Sequence, residues 1–336
     1  VFVPPQPSRA SVLLAALARQ TLRPIVRGIR PGARDDQIRR ALAIVDRRTR
    51  YLHVPLSTPL RGASVHRVDL DTCEAEWIAA AHRAAVKRVI LYFHGGGFVI
   101  GGPQTHRRLV SRLSAACGGT PVCSVEYRQL PDVPIADSVG DCVRAYQCLL
   151  RRYASSEIVL AGDSAGGHLA LAVAVASRKL ELPQPAGIFA ISPWIDLAAD
   201  AVHRCPNVGS DPYITPNMLS WIGHLHESRF GPLRTELCDS DCDLSGVAPT
   251  LIQVGGLEIL VSDAEAFTAR LVADGVPCQL QVYPGQMHVF HLLADVLPEA
   301  RFAIHELALF VEASTRPHTA ALRGQRKRLA QGTVIT

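Results

Sequence analysis

The chain has 336 residues, 48% hydrophobic and 19% charged, which is enough apolar material for one large domain or two ordinary ones and too much for a disordered chain. No uncharged apolar stretch reaches the roughly 18–20 residues a membrane helix needs; the most uniform run, Ser164–Ser177, carries His168 and suits a buried helix. The net charge of +5 gathers between Arg19 and Arg50 and in the tail Arg323–Arg328, a solvated face and a loose tail rather than a phosphate-binding groove, so no nucleic-acid partner is expected.

In chain order, Val12–Ala18 is a short apolar run that Arg19 closes without a small-residue cleavage site, so no signal peptide is expected. Asp35 and Asp36 open a helix with Ile38, Leu42 and Val45 at helical spacing, and Pro55 and Pro59 end it; residues 1–60 read as a helical arm. From Val65 the period changes. Val65–Leu70 and Glu76–Ala80 read as strands around a turn, and Arg88–Phe93 as a strongly apolar strand. Helix Thr105–Cys117, strand Val122–Tyr127, helix Ile135–Tyr153, strand Ile158–Ala161, helix Ala165–Ser177 and strand Gly187–Ser192 follow. An irregular stretch with a helix at Pro216–His226 leads into strand Thr250–Val254, helix Asp263–Asp274, strand Gln279–Tyr283 and helix Pro298–Phe310. Residues 316–336 read as a basic, disordered tail. Alternating strands and helices imply an α/β fold, a mainly parallel sheet covered on both faces, with ligands at the carboxyl ends of the strands.

The nine cysteines, an odd number without a C-x-x-C pair, are expected to be reduced thiols. Cys238 and Cys242 sit among Asp239, Asp241 and Asp243, but no histidine or second cysteine pair completes a zinc set, so this reads as a surface loop and no metal is expected.

Two glycine-rich turns carry chemistry. Gly162-Asp163-Ser164-Ala165-Gly166 fits the G-x-S-x-G nucleophile elbow between a strand and a helix, where flanking side chains would clash and Ser164 must adopt strained angles. The helix that follows points its amino-terminal amides at the site and favours negative charge there. His94-Gly95-Gly96-Gly97-Phe98 directly follows strand Arg88–Phe93, and its glycines let backbone N–H groups approach a developing oxyanion. A dinucleotide fingerprint from Gly95 would need glycine at Ile100, and a P-loop from Gly162 would need lysine at His168. There is no S-x-x-K and no H-E-x-x-H.

A serine nucleophile needs a base and an orienting acid, here in the order Ser, Asp/Glu, His. His288 lies in the loop after the last strand, positioned to reach across the strand ends; His291 is its rival, and His168, one helical turn past Ser164, reads as structural. Glu258, Asp263 and Glu265 compete for the acid, with Asp196 a lesser candidate. Ser262-Asp263-Ala264-Glu265 reads as a capping box, which gives Asp263 and Glu265 a structural task and leaves Glu258 as the acid.

Together, His94–Phe98, Gly162–Gly167 and the Gly285–His288 loop resemble the bacterial hormone-sensitive-lipase-like branch of the α/β-hydrolases, with intermediate matches at Tyr127-Arg128, Ser192-Pro193-Trp194 and Ser210-Asp211-Pro212. The resemblance covers roughly Val65 to Phe310 and implies an eight-stranded, mostly parallel sheet with helices on both faces and a helical cap, in a catalytic domain of residues 61–315. It also implies hydrolysis of a small carboxylic ester without metal or organic cofactor, and a lid built from the arm and an insert at about 200–229. By position, the oxyanion amides are those of Gly96, Gly97 and Ala165, supported by Gly95, with His94, Asp163, Gly162 and Gly166 as motif supports. Phe98, Trp194, Tyr213 and Trp221 are the expected pocket residues. Glu258 stands where this family more often has aspartate, and Tyr127–Asp132 departs from the usual Leu-Ala-Pro-Glu continuation.

The lid holds His203, Arg204, His224, His226 and Arg229, too polar for a lipid landing patch, so short- to medium-chain esters are the expected substrates. Amidase, deacetylase or acyltransferase activity with the same triad is the alternative. A binding protein on an inactive scaffold, like the plant hormone receptor this family resembles, is disfavoured because serine, acid and histidine are all present. No stable membrane insertion is expected; a homodimer is left open, and the expected location is cytoplasmic, with cell-envelope association as the alternative.

Overall fold

The computed structural model describes residues 3–27, 54–71, 73–81, 87–198, 205–233, 235–239 and 241–316. The helix expected after Asp35 and the basic tail beyond Arg316 lie outside the described residues. Eight strands form one sheet: β1 (Ser64–Asp69), β2 (Glu74–Ala79), β3 (Val89–Phe93), β4 (Val122–Val125), β5 (Ile158–Asp163), β6 (Gly187–Ile191), β7 (Thr250–Gly255) and β8 (Cys278–Tyr283). Their order is β1-β2-β4-β3-β5-β6-β7-β8; β1–β2 and β2–β4 pair antiparallel and every other pair is parallel.

Strands β3 to β7 are buried along their whole length, as continuous apolar runs in a sheet covered on both faces must be. Along β3, Val89, Leu91 and Phe93 join one core while Ile90 and Tyr92 join the other. The first core takes α4 (Ile135–Leu150), α5 (Ala165–Lys179), α6 (Pro216–Phe230) and α7 (Val261–Ala273). The second takes α1 (Arg9–Arg27), α3 (Pro103–Ala116) and α8 (Pro298–Ser314), while α2 (Val54–Ser57) is a single short turn. Helix α5 is buried nearly all round because its alanines, valines and glycines let it lie close on the sheet. Among the described residues no helix is long and apolar enough to cross a membrane.

The strand order runs outward in opposite directions from the neighbours β3 and β5. Such a reversal opens a crevice at the strands' carboxyl ends. Both glycine-rich turns leave the sheet there, one after β3 and one after β5.

Beyond β6 the chain makes a short 3-10 turn at Pro206–Gly209 and then α6. Helix α1 packs near α6, and its arginines hold the turn before it: Arg23 donates to the carbonyls of Gly209 and Val208 at 2.7 and 2.9 Å, and Arg19 to that of Ser210 at 2.6 Å.

Candidate active site

Strand β5 runs two residues further than its apolar pattern suggested, to Asp163, which pairs with Ile191 of β6. Ser164 then turns the chain at φ 53° and ψ −120° into α5. That conformation costs a non-glycine residue on the order of 1–3 kcal/mol. It is fixed by the Ser164 amide bonding to Ile191 O at 2.8 Å and by the Trp194 amide bonding to Ser164 O at 3.2 Å. The turn requires glycine at 166, where a Cβ would lie 1.9 Å from the Phe93 carbonyl oxygen.

His288, in the loop after β8, brings Nε2 to 3.0 Å from Ser164 Oγ. Its Nδ1 lies 2.7 Å from Glu258 Oε2 and, facing a carboxylate, carries the proton. Nε2 is left with the lone pair, so the serine hydroxyl donates to it. Glu258 is completely buried, and its second oxygen accepts the Gly255 amide at 3.0 Å, which orients the carboxylate. Burial alone would lower the His288 pKa, but the hydrogen bond and charge of Glu258, with Asp211 and Asp163 adding, hold it above its ordinary value.

The backbone of this loop is anchored as well. Tyr213 donates its hydroxyl to the His288 carbonyl at 2.7 Å, and the Val289 amide donates to Ser192 Oγ at 3.1 Å. Asp211, buried in the matched Ser210-Asp211-Pro212 segment, accepts the amides of Tyr213 and Ile214 at 2.9 and 2.8 Å through Oδ1 and that of Ile259 at 2.9 Å through Oδ2. One carboxylate thus joins the segment before α6 to the loop carrying Glu258.

The loop His94–Phe98 arches beside the elbow. Tyr127 donates to the His94 carbonyl at 2.7 Å and stacks on its ring at 4.3 Å. The Gly95 amide donates to Asp163 at 3.0 Å, and the Leu130 amide to the Phe98 carbonyl at 2.8 Å. Gly96, at φ 126°, could not carry a side chain: its Cβ would lie 1.9 Å from Ile100 O. Among the described residues, none of these bonds uses the N–H groups of Gly96, Gly97 or Ala165.

The rival residues have other partners. His291 Nε2 lies 2.8 Å from Gln253 Oε1, and burial pushes its pKa down to about 3. His168 Nδ1 faces the carbonyls of Trp194 and Ile195 at 3.0 and 3.2 Å, and burial lowers it to about 4. Asp196 accepts the Ala198 amide at 2.9 Å. The capping box expected at Ser262–Glu265 is not formed: α7 begins at Val261 with Leu260 as its cap, which places Ser262 inside the helix and leaves Glu265 exposed. Asp263 instead accepts the amides of Ile195 and Asp196, at 2.7 and 2.9 Å, and desolvation pushes its carboxyl up to about 6. It clamps the loop that follows β6.

Of the four expected pocket residues, Tyr213 is the one beside His288, with ring centroids 6.0 Å apart. Phe98 and Trp194 are buried against each other at 6.1 Å, with His168 at 5.7 Å from Phe98, and Trp221 is buried on α6. Sequence reading missed Tyr92 and His106, which converge on Asp163, and the bridging task of Asp211. A tyrosine in an otherwise hydrocarbon strand, and a histidine at the start of a helix after a glycine loop, were the available signals.

A family model described as alpha/beta hydrolase fold matches residues 90–292. The chain is 34% identical over 318 residues to the carboxylesterase/phospholipase LipF of Mycobacterium tuberculosis (strain ATCC 25618 / H37Rv), across 92% of this chain and 83% of that protein. It is 35% identical over 249 residues to an acetyl-hydrolase of Streptomyces hygroscopicus, across 74% and 82% of the two chains. An esterase of known structure from the bacterial hormone-sensitive lipase family superposes with a TM-score of 0.78 at 33% identity, covering 93% of this chain and all 100% of the other.

Proposed function

This chain belongs to the alpha/beta-hydrolase fold family, in its bacterial hormone-sensitive-lipase-like branch, and from that premise we propose that Ser164, His288 and Glu258 carry its hydrolysis of carboxylic esters. The observation that supports this assignment is the unbroken hydrogen-bonded run from the buried Glu258 carboxylate through His288 to Ser164 Oγ.

His288 takes the Ser164 proton as Oγ attacks the ester carbonyl, and the amides of Gly96, Gly97 and Ala165 receive the oxyanion. The imidazolium then protonates the departing alcohol. Water, deprotonated by the same histidine, cleaves the acyl-enzyme. Glu258 holds the reactive tautomer and stabilises the imidazolium. Loss of one oxyanion donor costs about 3 kcal/mol of barrier in such sites.

The substrates are esters of short to medium acyl chains. Helix α6 lies directly over the oxyanion loop, where a Cβ on Gly97 would come 2.8 Å from Ile222 Cδ1, and this close roof favours small acyl groups. A panel of nitrophenyl esters from acetyl to palmitoyl, with matched anilides, tests the reading. The highest kcat/KM is expected among short and medium esters. A palmitoyl optimum with interfacial activation, or anilides cleaved as fast as esters, would contradict it.

A further inference from the structure

Asp163 precedes the serine, is buried, and takes part in no step above. Its carboxylate accepts hydrogen bonds from three separate elements: the Tyr92 hydroxyl of β3 at 2.6 Å, the Gly95 amide of the oxyanion loop at 3.0 Å, and His106 Nε2 of α3 at 3.2 Å. The other His106 nitrogen, Nδ1, lies 2.8 Å from Thr105 Oγ1. Oγ1 also sits 2.7 Å from the Gly102 carbonyl oxygen, which can only accept, so the arrangement that makes every contact a hydrogen bond sends the one hydroxyl proton there. Nδ1 is therefore the donor to Thr105, and Nε2 is the donor to a carboxylate. Both ring nitrogens are protonated, and the pair is an imidazolium and a carboxylate enclosed in the fold.

The electrostatics run the same way. Burial alone would raise the Asp163 carboxyl, but the charge and hydrogen bond of His106, with Tyr92 and His94 adding, hold it at about 2. Burial alone would lower His106, but the charge and hydrogen bond of Asp163 raise it above its ordinary value. His94, 5.8 Å away ring to ring, is driven to about 3 by burial and by the His106 charge, and stays neutral.

We infer that His106 is a positioning residue for ester hydrolysis, whose ion pair with Asp163 holds the Gly95 amide and so sets the oxyanion loop against Ser164. This rests on the proposed roles of Ser164 and of the Gly96 and Gly97 amides. Without His106, the buried carboxylate is unpaired and must take up a proton. A neutral carboxyl accepts less well from its remaining donors. Of these, Tyr92 is locked in a sheet, whereas Gly95 is in a loop and yields first. A displacement on the order of 1 Å in such a site costs about 100-fold in rate.

The test compares His106→Leu, His106→Gln and Tyr92→Phe by kcat, KM and the inhibition constant of a trifluoromethyl ketone, which forms an oxyanion on the serine. His106→Leu is expected to lower kcat about 10- to 100-fold with KM nearly unchanged, and to weaken the ketone by the same factor as kcat/KM. His106→Gln, whose amide can still donate to Asp163, is expected to recover part of both losses, and Tyr92→Phe to show a smaller, parallel loss. If His106→Leu does not fold, the other two variants carry the comparison. Losses in KM alone, a rate loss without weaker ketone binding, or no loss in the folded variants overturns the inference. Ser164→Ala, assayed alongside, separates this from failure of the nucleophile assignment, since turnover surviving in that variant would sink the serine mechanism itself.

Discussion

Two carboxylates five residues apart follow β7, and their neighbours separate their tasks. Glu258 touches the proton of His288 Nδ1; Asp263 receives two backbone amides and never meets the histidine. Glu258→Gln should therefore lower kcat by about three to four orders of magnitude, because an amide can hold the wrong imidazole tautomer. Asp263→Ala should instead cost about 1–3 kcal/mol of stability by stranding two partly buried amides. Urea unfolding beside steady-state kinetics distinguishes them; an inactive but fully stable Asp263→Ala would reverse the roles. Since His288 must be neutral to accept a proton and its pKa is raised, kcat/KM should fall on acidification through a value above the ordinary ~6.5. In Glu258→Gln the same limb should move to lower pH, and an unmoved limb would show that another group titrates. The capping-box reading chose Glu258 for a reason that does not hold, because helical spacing alone cannot say whether Ser262 stands before the first turn or within it.

At the scale of elements, the two glycine turns work because β3 and β5 are neighbours in the sheet. Gly96→Ala should lower kcat by about 10²- to 10³-fold, since the methyl would have to displace the Ile100 carbonyl and carry the oxyanion amides with it. Circular dichroism should show native helix content; full activity in that variant would remove the loop from the mechanism. The strands and helices were legible because β3 to β7 are unbroken apolar runs and α5 opens directly after the elbow. The G-x-S-x-G and triple-glycine turns were legible because their chemistry depends on local chain geometry. What joins them was not. Tyr92 and His106 reach Asp163 across 71 and 57 residues of sequence, and Asp211 reaches Ile259 across 48. Local periodicity carries no record of such meetings.

Over the whole molecule, the amino-terminal segment ties distant elements together. Arg19 and Arg23 on α1 hold the turn before α6, and the Ser8 amide bonds to Glu299 at the start of α8, so this segment links the α6 region to α8. Arg23→Ala should loosen this connection and raise KM without lowering kcat, the pattern expected when binding rather than the chemical step is affected; a fall in kcat at unchanged KM would place Arg23 in the chemistry. The central claim, that Ser164 activated by His288 is the nucleophile, is tested most directly by fluorophosphonate labelling followed by peptide mass spectrometry. One adduct is expected, on the peptide containing Ser164, formed far more slowly in His288→Ala and absent in Ser164→Ala together with ester turnover. An adduct on another residue, with hydrolysis continuing in Ser164→Ala, would contradict it.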